Sequence, residues 1–171
     1  MPSNVEIKAR LRDPDRVLAE ACRLADAEPT VIEQHDTFYT CSEGRLKLRR
    51  FPDGRGELIA YHRPDLGGPK TSTYQLYRTE HAADLQRALD ASLVRLGEVR
   101  KTRRLLLVGR TRVHLDDVAG LGRFLELEVV LAAGDAVAEG VAEARTLVQR
   151  LGIPESDLIS GAYIDLIRDS G

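Results

Sequence analysis

Arg112-Val113-His114-Leu115-Asp116 and, after a turn at Gly120-Leu121-Gly122, Phe124-Leu125-Glu126-Leu127-Glu128-Val129 set charged residues against apolar ones at every second position. A period of two sends successive side chains to opposite faces of an extended chain, so each run reads as a β-strand with one charged and one apolar face. Arg110, Arg112, His114 and Asp116 share one face, and Glu126 and Glu128 share another. The glycine-bearing segment between them lacks a following Lys-Ser/Thr, so it reads as a hairpin turn and not as a phosphate loop. The same alternation recurs upstream in Arg45-Leu46-Lys47-Leu48-Arg49, in Lys101-Thr102-Arg103 and in Asn4-Val5-Glu6-Ile7-Lys8.

The segments between these strands complete an α+β pattern. Asp13-Pro14 supplies an N-cap and a first-turn proline for a helix with the apolar stripe Val17, Leu18, Ala21 and Leu24. Strands are predicted over Val31–Tyr39, Arg45–Phe51 and Glu57–Tyr61, with Pro52-Asp53-Gly54 as a hairpin turn. Arg63 to Tyr74, with two prolines and Gly67-Gly68, reads as a long surface loop. A second helix carries Leu85, Leu89, Leu93 and Leu96 and stops at Gly97. Strands over Val99–Val108, Arg110–Asp116 and Phe124–Leu131 follow, then a helix from Val137 to Leu151 ending at Gly152, and a short helical tail with Ile164 and Ile167. The order predicts a mostly antiparallel sheet with flanking helices.

Composition narrows the function classes. The chain has 171 residues, the size of one domain, so residues 1–171 are taken as a single unit. Its 25 basic and 27 acidic residues nearly cancel, which gives no reason to expect nucleic acid or an anionic membrane surface as partner. The basic run Arg100 to Arg104 has no interleaved aromatics to stack bases. No apolar run approaches the ~18 residues of a membrane span, and the start of the chain lacks a signal-peptide pattern. Cys22 and Cys41 make neither a disulfide framework nor a zinc motif, which sets a reducing, cytoplasmic compartment as the expectation.

The charged faces carry the chemistry. A single strand with alternating charge is ordinarily a solvated face. Here three strands are basic and two carry acids, and if the sheet closes these faces converge on one interior. Such an interior is tolerable only when wet and counter-charged. Carboxylates gather a divalent ion through hard oxygen ligands, while clustered Arg and Lys neutralise a polyphosphate. Together they suit a metal–triphosphate complex.

With these residues in view, the chain resembles the CYTH domains, the triphosphate tunnel metalloenzymes. Val5-Glu6-Ile7-Lys8 is similar to the end of the family's Glu-x-Glu-x-Lys signature. Asp36-Thr37-Phe38-Tyr39, the Arg45–Arg49 run, Gly68-Pro69-Lys70, Lys101-Thr102-Arg103, Arg112–Asp116, Gly120–Glu128 and Ala162-Tyr163-Ile164-Asp165-Leu166 follow in the family's order. The Gly-Pro-Lys and His-Leu-Asp segments are most similar to the class IV adenylyl cyclase (CyaB-type) branch. The resemblance implies a closed eight-stranded antiparallel β-barrel, a tunnel that binds a triphosphate with Mg²⁺ or Mn²⁺. By motif position it implies Glu6, Glu126 and Glu128 as metal ligands, with Asp116 as a supporting carboxylate. Lys8, Lys47, Arg49, Arg63, Lys70, Lys101, Arg103 and Arg112 would contact substrate, and Lys8 is also the candidate proton acceptor. The family's first glutamate falls on Asn4, which offers an oxygen but no charge.

The expected partner is a triphosphate-bearing small molecule: ATP, thiamine triphosphate or tripolyphosphate. In the leading reading a ribose 3′-hydroxyl attacks the α-phosphate of ATP, giving 3′,5′-cyclic AMP and pyrophosphate. The alternatives are a triphosphatase, with water as nucleophile, and a non-catalytic triphosphate-binding sensor whose metal site is weakened at Asn4. The family resemblance also suggests a homodimer. His114 is expected to be neutral, held by a hydrogen bond inside the barrel. His35, His62 and His81 read as surface residues, Cys22 as a small core residue, and Tyr163 as the anchor of the last helix.

Overall fold

The computed structural model describes residues 2–64 and 67–170. The described residues form, in order, β1 (Ser3–Arg10), α1 (Pro14–Leu24), β2 (Thr30–Tyr39), β3 (Arg45–Arg50), β4 (Gly56–His62), β5 (Lys70–Thr79), α2 (Ala82–Ser92), β6 (Arg95–Val108), β7 (Thr111–Val118), β8 (Gly122–Leu131), α3 (Val137–Arg150), β9 (Leu158–Ile159) and α4 (Tyr163–Asp169). The sheet runs β5-β4-β3-β2-β6-β7-β8-β1, and β1 pairs back onto β5, closing a ring of eight strands. All of these pairings are antiparallel. Closure leaves no long unpaired edge, and it forces one face of every strand into a common interior.

The apolar core lies outside this ring. Val5, Ile7 and Ala9 of β1, Leu125, Leu127 and Val129 of β8, and Val113 and Leu115 of β7 form one buried cluster with Val17 and Ala21 of α1 and Ala144, Leu147 and Val148 of α3. Each fully buried Val, Leu or Ile of this cluster contributes roughly 1.5–3 kcal/mol. The ring is therefore fastened to its helices by the apolar faces, which leaves the polar faces to the inside. Asp13 caps α1 through Arg16 N, with Pro14 in its first turn. At the end of the β7–β8 hairpin, Gly120 takes φ of 79°, a conformation that a side chain would strain.

A second cluster closes part of the interior. Ala162, Tyr163 and Ile164 at the start of α4 pack with Phe38, Ile59, Tyr61, Val99 and Phe124 from the strands. Arg45 of β3 fixes α4 with a bidentate pair to Asp165 at 3.1 and 2.7 Å. No helix of the described residues is long and apolar enough to cross a membrane.

Three expectations are corrected. The stretch from Arg63 to Tyr74 is not all loop: β5 starts at Lys70, directly after Pro69, and supplies the closing pairs to β4 and β1. Residues 65 and 66 of that stretch lie outside the described residues. Helix α2 ends at Ser92, and Leu93 is already extended at φ −123°, ψ 151°. The leucine period therefore runs two residues into β6, to Leu96, where pairing with β2 begins at Arg95. Cys22 is exposed, because one step of about 100° around α1 from buried Ala21 carries it to the solvent side.

Candidate functional site: a charged tunnel through the ring

Strand register brings the charged faces together. On β1, Asn4, Glu6 and Lys8 face inward; Glu6 stands opposite Glu128 and Lys8 opposite Glu126 on β8. On the other side of β1, Asn4 stands opposite Ser72 and Glu6 opposite Lys70. Across the interior lie Asp36 of β2, Lys47 and Arg49 of β3, and Lys101 and Arg103 of β6. The cavity they line measures about 150 Å³. Its wall carries seven cations (Lys8, Lys47, Arg49, Arg63, Lys101, Arg103, Arg112) and five carboxylates (Glu6, Asp36, Glu57, Glu126, Glu128), a formal excess of two positive charges. An interior of this kind attracts a polyanion.

The basic side is organised by Asp36, which the sequence places in the Asp36–Tyr39 motif but to which it assigns no role. Asp36 is 1% exposed and accepts two hydrogen bonds from Arg49 at 2.8 Å each and one from Lys101 at 3.2 Å; Lys47 Nζ lies 3.7 Å away. Burial alone would raise its pKa, but Arg49, Lys101 and Lys47 outweigh burial and hold it well below the usual carboxylate range. One anion thus gathers three cations from two strands. Burial and the neighbouring Arg49 push Lys47 down to about 7. Burial, with Arg49 and Arg103 nearby, brings Lys101 to about 8 despite Asp36. Both ammonium groups gain from an added anion.

The acidic side is paired just as closely. Lys8 Nζ donates to Gly161 O at 3.1 Å and lies 3.4 Å from Glu126. Arg103 donates to both oxygens of Asp116 at 2.7 Å and to Glu126 at 2.6 Å. Arg63 donates to Glu6 at 3.2 Å, while its Nε and Nη2 are buried with no partner among the described residues. Arg112 lies 3.6 Å from Glu128 at a more exposed position. Burial and the facing Glu128 carboxylate raise Glu6 to about 7, against the pull of Arg63. Burial would raise Glu126 too, but Lys8 and Arg103 hold it well below the usual range.

Most of the sequence candidates meet in this one cavity. Lys8, Lys47, Arg49, Arg63, Lys101, Arg103, Arg112, Glu6, Glu126 and Glu128 all line it. Lys70 is not in a loop: it is the first residue of β5, buried, and on the same strand face as Ser72 and Tyr74. Asp116 is buried with both oxygens engaged, one by Arg103 and the other by Arg103 and the Tyr163 hydroxyl at 2.8 Å, so it supports the cavity through Arg103. His114 is kept neutral by burial and by Arg103, which lower it to about 3. Its buried Nδ1 has no hydrogen-bond partner among the described residues. His62 and His81 are exposed as expected, whereas His35 is half-buried between Arg50 at 2.7 Å and Glu98 at 3.0 Å. Tyr163 anchors α4 and also reaches into the cavity.

The oxygen donors suit a hard divalent ion. Glu6, Glu126 and Glu128 are carboxylates in one cavity wall, and the buried Asn4 Oδ1 has no donor among the described residues. The rise of Glu6 under repulsion from Glu128 marks a place where a cation would be favourable. Among the described residues no three acidic, histidine or cysteine side chains already stand in chelating geometry. The carboxylates are instead held by Arg63, Lys8, Arg103 and Arg112, so an ion would exchange with those partners.

Known proteins share this architecture. A Pyrococcus horikoshii protein superposes with a TM-score of 0.83 at 20% identity, over 95% of this chain and 98% of that one. A candidate adenylate cyclase from Vibrio parahaemolyticus gives 0.79 at 19% identity, over 96% and 97%. A Hippeastrum protein named for adenylyl cyclase, with a dominant triphosphatase activity, gives 0.68 at 17% identity, over 98% and 96%. No curated protein sequence matches the chain significantly. The model of one family, the CYTH domain, matches residues 3–163. With nearly its whole length in that match and a closed, charge-lined ring of strands, the chain belongs to the CYTH domain family.

Proposed function

We propose that the tunnel binds a nucleotide or other organic triphosphate together with Mg²⁺ or Mn²⁺, and that the chain is a metal-dependent enzyme acting on that group. The observation that carries this reading is the convergence of seven cations and the Glu6, Glu126 and Glu128 carboxylates on one cavity. Lys47, Arg49, Lys101 and Arg103 bind the phosphate oxygens and neutralise their charge. Arg63 adds two N–H groups that have no other partner among the described residues. Lys8, held between Glu126 and Gly161 O, presents its ammonium from the opposite wall. Glu6, Glu126 and Glu128, with Asn4 Oδ1, hold the ion, which supplies Lewis-acid polarisation of the phosphate when bound.

Phosphoryl chemistry asks a protein mainly for positioning and charge neutralisation, which this cavity provides. The reaction most like that of the class IV branch joins the ribose 3′-oxygen of ATP to the α-phosphorus. The bond from that phosphorus to its bridging oxygen breaks, pyrophosphate leaves, and the hydroxyl proton is lost. The dominant triphosphatase activity of the Hippeastrum fold neighbour favours a second reading, with water attacking the terminal phosphorus and orthophosphate leaving. Incubation with ATP, tripolyphosphate and thiamine triphosphate, each with Mn²⁺, followed by ³¹P spectroscopy of the products, tests both. Cyclic AMP with pyrophosphate supports the cyclase and orthophosphate the hydrolase. Binding without turnover of all three leaves a sensor.

A further inference from the structure

The C-terminal segment does more than cover the ring. Lys8 Nζ stands 4.0 Å from the centroid of the Tyr163 ring, and Lys101 Nζ lies 5.4 Å from the same centroid. The Tyr163 hydroxyl donates to Asp116 Oδ2 at 2.8 Å, and that carboxylate grips Arg103 through two hydrogen bonds of 2.7 Å. One side chain therefore reaches three of the cavity's cations, two through its ring and one through a single carboxylate. All five residues are buried.

The difference between a ring and a carboxylate matters here. A carboxylate that holds an ammonium competes with an incoming phosphate for the same charge. Lys8 also lies 3.4 Å from Glu126 and Lys101 donates to Asp36 at 3.2 Å; to these pairs the aromatic face adds an attraction through its quadrupole that brings no negative charge and uses no N–H donor. Burial and the nearby Glu126 and Asp116 carboxylates push the phenol well above its usual value, so the hydroxyl stays a donor to Asp116. We propose that Tyr163 is a positioning residue of the triphosphate site, its ring seating Lys8 and Lys101 and its hydroxyl orienting Arg103 through Asp116. The proposal rests on the triphosphate reading of the tunnel. A purely structural role is the competing account, since Tyr163 also packs on Phe124 at 5.1 Å between ring centroids.

Calorimetric titration with tripolyphosphate separates the two. Wild type is compared with Tyr163→Phe, Tyr163→Leu, Lys8→Met and the Tyr163→Leu/Lys8→Met double variant, each checked for thermal unfolding. Tyr163→Leu should weaken binding about tenfold, and Tyr163→Phe, which keeps the ring but not the hydroxyl, should weaken it only about threefold. In the Lys8→Met background the loss from Tyr163→Leu should shrink to about threefold, because the ring then seats only the more distant Lys101. Wild-type affinity in Tyr163→Leu, or an undiminished loss in the Lys8→Met background, would overturn the proposal. Should Tyr163→Leu fail to fold, Tyr163→Phe decides. A loss of about threefold that disappears in an Asp116→Asn background supports the proposal, and wild-type affinity overturns it. A wild-type protein that binds no tripolyphosphate overturns the triphosphate reading itself, and this proposal with it.

Discussion

Asn4 is 4% exposed in the tunnel wall, and its side-chain oxygen has no donor among the described residues. A carboxamide there gives a hard cation an oxygen without a charge, beside Glu6 and Glu128. A divalent ion should therefore bind weakly alone and arrive mainly with its triphosphate, whose oxygens complete the coordination. Asn4→Glu should raise Mn²⁺ affinity in the absence of nucleotide, as read by calorimetry; identical weak binding in both proteins would place Asn4 outside the ion site. Most of the residues that meet in the cavity were legible from period two alone, because Lys47, Arg49, Lys101, Arg103, Glu126 and Glu128 sit in strands with charged neighbours of the same face. Asp36 was not. It is the only charged residue on its side of Gln34-His35-Asp36-Thr37-Phe38, and its partners Arg49 and Lys101 are 13 and 65 positions away. Tyr163 was legible as a helix anchor, but its reach to Lys8 and Asp116 depends on how α4 docks.

Among the elements, β5 and α2 show where local pattern loses to tertiary structure. Four breakers, Pro64, Gly67, Gly68 and Pro69, precede β5 and make the whole stretch read as loop. The strand nevertheless begins at the next residue, because ring closure needs partners for both β1 and β4. The leucines of α2 keep a helical spacing past Ser92, but there β6 enters the sheet, and ladder pairing with β2 outweighs the helical period. The docking of α2 also yields a test. A Cβ added at Gly56 would meet Ala82 Cβ at 2.6 Å and Arg49 O at 2.8 Å, the latter being backbone that cannot swing aside. Gly56→Ala should thus destabilise the fold by roughly 1–3 kcal/mol, measured by denaturant unfolding. An unchanged midpoint would mean that α2 does not sit against β4 as described.

At the scale of the whole molecule, the fold places its apolar core between ring and helices and its charges inside the ring. That arrangement couples stability to pH. Lys47 at about 7 and Lys101 at about 8 shed protons in the folded chain well before the unfolded chain does, near 10.5. The unfolded state then binds more protons over this window, so stability without triphosphate should rise as pH increases from about 7 toward about 10. Triphosphate binding favours the charged lysines, so its affinity should fall over the same window. Unfolding temperatures with and without tripolyphosphate, measured from about pH 6.5 to about 9.5, should converge, and parallel curves would exclude the lysines as the linked groups. On the function proposed above, this basic interior is a triphosphate site. Calorimetry of tripolyphosphate against wild type, Lys47→Ala and Arg49→Ala tests it most directly. Each variant should stay folded and lose roughly 1.5–3 kcal/mol of binding, the value of a charge-assisted phosphate contact. Equal affinity in all three proteins would mean that the tunnel's charges serve only one another.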